Sequence, residues 1–223
     1  MGAVIGEILP LALGIAISPI PIIAAILMLL SPKARGTSLG FLTGWLLGII
    51  VAVVLFTILS SVIPQSDSDA PTPVIGIVKI VLGAGLLLLA VRQWRSRPSD
   101  GAEPAMPKWM SAIDTMTAGR ALMLGFLLSA LNPKNLLMGV AAGVAIGSAS
   151  LAIGENIAAT SIFTLIAVST VAVPIIAYLA ATARMSGPLE SLRKWLVHNN
   201  STVMTVLLLV IGVVLIGKGI GSF

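Results

Sequence analysis

Two stretches decide how this chain is read: Leu11-Ala-Leu-Gly14-Ile-Ala-Ile-Ser18-Pro19-Ile20-Pro21 and Leu122-Met-Leu-Gly125-Phe-Leu-Leu-Ser129-Ala-Leu-Asn132-Pro133-Lys134-Asn135. Each lies inside an apolar run long enough to cross a bilayer, and each is interrupted by proline near its middle. A proline removes a backbone donor and its ring clashes with the carbonyl four residues back, so a helix kinks or breaks there. Hydrocarbon offers no water to pair the freed carbonyls, which must therefore face protein or a wet cavity. Leu, Leu, Gly and Ser recur at one constant offset between the two stretches, a first sign of two related halves.

Around them the chain is uniformly apolar. Of its 223 residues 57% are hydrophobic and only 9% charged, with a mean hydropathy of +1.10, which predicts one integral membrane domain. A span needs about 20 apolar residues to cross a core of about 30 Å. Six segments qualify, near 5–30, 39–63, 73–91, 121–146, 156–181 and 202–219. No basic region precedes the first, and it is too long for the apolar part of a cleaved signal, so it is read as span one.

Composition also excludes chemistry. Without cysteine there are no disulfides, thiolate metal sites or thiol redox reactions. The single His198, in a polar loop without acids or thiols beside it, cannot build a metal site. No phosphate-cradling glycine loop is present. Hence no metal, cofactor or catalytic residue is expected. The net charge of +5 does not imply nucleic acid, because the Lys and Arg residues sit in short loops between apolar runs.

Those charges are sorted. Loop one carries Lys33 and Arg35, loop three Arg92, Arg95, Arg97, Lys108 and Arg120, and loop five Arg184, Arg193 and Lys194. Loops two and four have neither Lys nor Arg, only Asp67, Asp69 and Glu155. The bias of basic residues toward the cytoplasm then puts loops one, three and five inside and both termini outside, in a plasma-membrane protein. Within loop three, residues 97–104 have a disordered composition, followed by Met106, Trp109, Met110, Ile113 and Met116 at near-helical spacing after Pro107. This predicts a short helix lying on the cytoplasmic leaflet, and Leu189, Leu192, Trp195 and Leu196 predict a similar one in loop five.

The expected architecture is all-α: two three-helix repeats of inverted topology, residues 1–91 and 121–223, joined by a cytoplasmic segment at 92–120, with spans one and four broken. Three spans per half make the halves antiparallel, the plan of many secondary transporters. Gly83 and Gly212, each followed by an aliphatic stretch, mark the third and sixth spans of the repeat.

The candidate site residues follow from the breaks: Ser18, Pro19 and Pro21 in the first half, Asn132, Pro133, Lys134 and Asn135 in the second. Lys134 lies about 14 residues into span four, roughly 21 Å at 1.5 Å per residue, too far for easy snorkelling. A charge there costs about 2.5 to 3.5 kcal/mol on insertion scales, so it should meet a cavity, a carbonyl cluster or a counter-charge. Glu7 in span one and Lys79 in span three form either a buried pair or part of a pathway. Pro174 predicts a kink in span five. Gly36, Gly40, Gly44 and Gly48 recur every four residues, as do Gly139, Gly143 and Gly147. Such stripes let helix backbones approach closely, either within the chain or in a homodimer.

With these motifs and Ser31-Pro-Lys-Ala-Arg-Gly36, the whole chain resembles the LysE-type translocator superfamily, and within it the GAP, or sulfolipid-1-addressing protein, family. The resemblance implies six spans and movement of a solute or glycolipid out of the cytoplasm or toward the surface. Asn132, Pro133 and Lys134 match the superfamily's second-half motif. The first-half Pro-Gly-Pro is represented by Pro19-Ile20-Pro21, a departure that counts against a small amino-acid site. The leading expectation is an exporter of a glycolipid or other anionic amphiphile, alternating access at a midplane site where Lys134 receives an anionic group. Its partners would be membrane lipids and the substrate. Export of a small amino acid or metabolite is the alternative. A membrane enzyme would need positioned acids and bases, yet the spans supply only Glu7 as an acid. A purely structural assembly protein would explain the glycine stripes but not Lys134.

Overall fold

The computed structural model describes residues 1–62, 73–96 and 108–223. Asp67 and Asp69, and the stretch from Arg97 through Met106 to Pro107, lie outside the described residues. The described chain is helical throughout: α1 (Gly2–Ala16), α2 (Pro19–Leu29), α3 (Ala34–Ser61), α4 (Pro73–Arg95), a 3-10 helix (Lys108–Thr115), α5 (Ala118–Ala130), α6 (Pro133–Gly147), α7 (Ile153–Ala180) and α8 (Thr182–Ile220). Four of these are long and apolar enough to span a membrane alone. The pairs α1–α2 and α5–α6 bring the number to six when each is taken as one bent span.

Both breaks fall where proline forbids a continuous helix. The axes turn by 48° between α1 and α2 and by 62° between α5 and α6. Ser18 and Asn132 are the extended N-cap residues, and Pro19 and Pro133 each occupy the first helical position, where a missing N–H costs no hydrogen bond. The register differs from the sequence repeat. That repeat pairs Ser18 with Ser129, but α5 continues through Ser129, whose hydroxyl donates back to the Gly125 carbonyl at 3.0 Å, and breaks only at Asn132. The second break therefore comes almost one turn later than the matching residues place it.

Glycine decides which helices pack closely and in which direction. Positions 40, 44 and 48 of α3 abut Ala118, Leu122 and Phe126 of α5, while Gly139 and Gly143 of α6 abut Ala52 and Phe56 of α3. Both sequences ascend together, so α3 runs parallel to the whole broken span α5–α6. Against α8 the opposite holds for α4: a Cβ on Gly83 would stand 2.8 Å from the Gly212 carbonyl oxygen, and one on Gly76 2.8 Å from that of Gly219. These two helices are antiparallel, held at backbone contact by reciprocal glycine pairs. Apolar tails of lipid drive no hydrophobic association between spans, so such close van der Waals approach is what binds them. Both stripes thus find partners within the chain; a homodimer would have to use other faces.

The loop helices are not as expected. Lys108–Thr115 forms a 3-10 helix, and Ile113 and Met116 are buried in the protein core rather than presented to a leaflet. The loop-five helix is not separate: α8 runs unbroken for 39 residues, about 58 Å, carrying Leu189, Trp195 and the sixth span on one rod. Leu189 and Leu196 are buried, and Arg193 grips Glu190 with two hydrogen bonds of 2.8 and 2.6 Å. The polar run His198-Asn199-Asn200-Ser201 remains helical, with Asn199 Nδ2 donating to the Trp195 carbonyl at 2.9 Å. Helix α7 likewise passes through Pro174 as one element.

Candidate functional site

The two breaks free backbone carbonyls, and side chains pair three of them. In span one, Pro19 has no N–H, and the Ser18 N–H turns to Ile15 O at 3.2 Å. Gly14 O, four residues before the cap, instead accepts from Lys134 Nζ at 2.8 Å, and Ala16 O accepts from the Thr170 hydroxyl. In span four, Leu128 O stands four residues before Asn132 and accepts from Asn135 Nδ2 at 2.9 Å. Consecutive residues of α6 therefore close equivalent gaps: Lys134 reaches across to the other span's break, and Asn135 reaches back to its own. Asn132 Oδ1 caps its helix by accepting from the Lys134 N–H at 3.1 Å.

Lys134 is only 4% exposed and Asn135 is buried, yet both breaks border open space. A cavity of about 210 Å³ is lined by Ser18, Ile20, Asn132, Pro133 and Lys134. Its opposite wall comes from the last turns of α4, with Leu89, Arg92, Gln93 and Ser96, and from Asn200, Met204 and Leu208 of α8. On α4 the cavity takes only residues near the C-terminus of that helix, while on the other elements it reaches the two breaks themselves. Buried Lys134 and Ser18 form the floor; exposed Arg92, Ser96 and Pro133 form the mouth.

The cavity's chemistry is one-sided. Among the described residues two cations line it with amides and hydroxyls, and no carboxylate does. An ammonium carries three donors, of which Gly14 O takes one. Among the described residues the Asn200 side-chain oxygen is buried without a partner, while Gln93 Nε2 donates to Ser201 Oγ at 3.3 Å and ties α4 to α8. The N-terminus of α2 also points here. Its prolines at 19 and 21 lack N–H groups, so only Ile20 brings a donor in that turn, at the positive end of the helix dipole.

Of the residues expected from sequence, Ser18, Asn132, Pro133 and Lys134 meet in this cavity; Pro19 and Pro21 shape the first turn of α2, and Asn135 stands behind it. Glu7 and Lys79 lie elsewhere, joined at 2.8 Å with side chains mostly buried. Arg92, Gln93 and Asn200 were missed. Arg92 counted only as a topological charge and Asn200 only as loop; the signal that could have found them was the amphipathic continuation of each helix past its apolar run. Among the described residues no three His, Cys, Asp or Glu side chains gather as a metal site would need.

A protein-family model described as "Sap, sulfolipid-1-addressing protein" matches residues 8–221. No curated protein and no solved structure matches the chain.

Proposed function

This chain belongs to the sulfolipid-1-addressing protein family, and on that premise we propose that it is a carrier moving an anionic amphiphile toward the cell surface, with the charged group held between Lys134 and Arg92. The observation that carries the reading is the one-sided cavity at the meeting point of two broken spans, cationic at floor and mouth and, among the described residues, free of carboxylates. A buried ammonium with spare donors and a guanidinium suit a sulfate or phosphate monoester. The family's name points to sulfolipid handling.

Alternating access by two inverted halves fits the packing. Exchanging α1–α2 with α5–α6, α3 with α7, and α4 with α8 turns the contact of α3 with α5 into that of α7 with α1, and the contact of α2 with α8 into that of α6 with α4; all four contacts occur. The reciprocal pair Gly83 and Gly212 would lie near the axis of that exchange.

The cavity is smaller than the roughly 300–1,000 Å³ that encloses a whole drug-sized ligand, so it accommodates a headgroup and leaves the chains in lipid. The same size favours a second reading, export of a small anionic metabolite. Proteoliposomes holding a fluorescent sulfated glycolipid in one leaflet distinguish the two. Faster appearance in the other leaflet with wild-type protein, slowed by Arg92→Gln and Lys134→Gln, is the expected result. Efflux of a soluble anion without lipid movement would select the second reading; lipid movement equal to that of protein-free vesicles would reject the first.

A further inference from the structure

A second hollow, of about 580 Å³, opens between α3 and α7. It is formed by residues 50–58 of α3 and 156–165 of α7, the ends of these helices nearest loop four and farthest from Lys33 and Arg35. Its rim is lipid-facing: Ile58, Ile157 and Leu165 are 59%, 63% and 68% exposed. Its surface is mainly apolar, but beneath that lining Thr57 Oγ1, Asn156 Oδ1 and Thr164 Oγ1 are buried and, among the described residues, have no hydrogen-bond partner. Asn156, Thr160 and Thr164 recur every four residues, which sets them in one row roughly 12 Å long on the face of α7.

In hydrocarbon each such orphan is costly, because no water reaches it. The needs of the three atoms specify the occupant. Asn156 Nδ2 already donates to Leu151 O at 3.1 Å, which fixes Oδ1 as an acceptor that requires a donor. The threonine hydroxyls accept or donate. Among the described residues no charged side chain lines the groove, so an ionic headgroup would be stranded, and an ester alone has no hydrogen to give.

We infer that this groove is a binding site for a bilayer lipid with an uncharged, hydroxyl-bearing headgroup, its hydroxyls pairing with Thr57, Asn156 and Thr164 as these side chains turn into the groove and its chains lying against the aliphatic rim. The site is separate from the Lys134 cavity and does not depend on the transport reading.

Photo-crosslinking tests it. A glucosyl diacylglycerol carrying a diazirine in one acyl chain is reconstituted with the full chain in phosphatidylcholine nanodiscs, and crosslinked peptides are mapped by mass spectrometry. Crosslinks are expected to concentrate at 50–58 and 156–165, to be competed by unlabelled glucosyl diacylglycerol and not by phosphatidylglycerol. Thr57→Val with Thr164→Val should lower them by about fivefold or more, the scale of one or two hydrogen bonds. Ile157→Trp, at an exposed position that leaves every polar atom in place, should block the groove without affecting folding. Crosslinks spread evenly over the lipid-facing helices, equal competition by phosphatidylglycerol, or full labelling of Ile157→Trp would each overturn the inference. So would a disulfide between copies bearing Leu165→Cys, which would make a second chain the occupant.

Discussion

Lys134 Nζ donates to the carbonyl of Gly14 across 2.8 Å, joining the breaks of two spans that lie 120 residues apart in sequence. The ammonium therefore has a structural duty besides any toward a ligand. Replacing it by methionine leaves a buried carbonyl unpaired, at a cost of about 1–3 kcal/mol.

That duty separates two variants. Lys134→Met should melt earlier in detergent than wild type, while Lys134→Gln, whose amide still donates, should lose less stability; both should lose anion-dependent transport. Equal melting temperatures for wild type and Lys134→Met would show that the Gly14 tie carries no weight. Transport by a folded Lys134→Gln protein would remove the charge from the mechanism.

Helix approach gives a second prediction. Gly83→Ala pushes a methyl into the Gly212 backbone, which cannot yield as a side chain can, and should destabilise by about 1–3 kcal/mol. Gly36→Ala, whose Cβ would sit 3.9 Å from Ala118 Cβ, should stay within about 0.5 kcal/mol of wild type. Thermal unfolding followed by size-exclusion chromatography reads both.

Glu7 and Lys79 offer a third. Neutralising one partner strands a largely buried charge and should cost up to about 3 kcal/mol, whereas Glu7→Gln with Lys79→Met should recover most of it. The pair is not part of the Lys134 cavity, so the double variant should still transport. Loss of flux in a stable double variant would place the pair on the pathway.

Sidedness is the fourth. The basic loops predict that Lys33→Cys faces the cytoplasm and Glu155→Cys the outside. In this cysteine-free background an impermeant maleimide applied to intact cells should label the second and not the first; the reverse pattern would invert the protein in the membrane.

The apolar spans and the two breaks are legible without a structure, because both are local: hydropathy needs only a window of residues, and proline lacks its N–H wherever it stands. The sequence also singled out Lys134, since a charge deep in a span must find some partner. Other features depended on the tertiary structure. Hydropathy cannot tell a polar helical turn from a loop, so the union of the loop-five helix with α8 was not legible from His198-Asn199-Asn200-Ser201. Nor could a repeat of Leu, Leu, Gly and Ser fix where the second helix breaks, because Ser129 remains helical by bonding its own chain, and Asn132 with Pro133 ends the helix almost a turn later. Which residues face Lys134 was decided by the antiparallel meeting of α4 and α8, which carries Arg92 and Asn200 to one wall. The groove between α3 and α7 is likewise a tertiary fact: a threonine in an apolar helix ordinarily satisfies itself on the preceding turn, and only the packed structure shows that Thr57 and Thr164 do not.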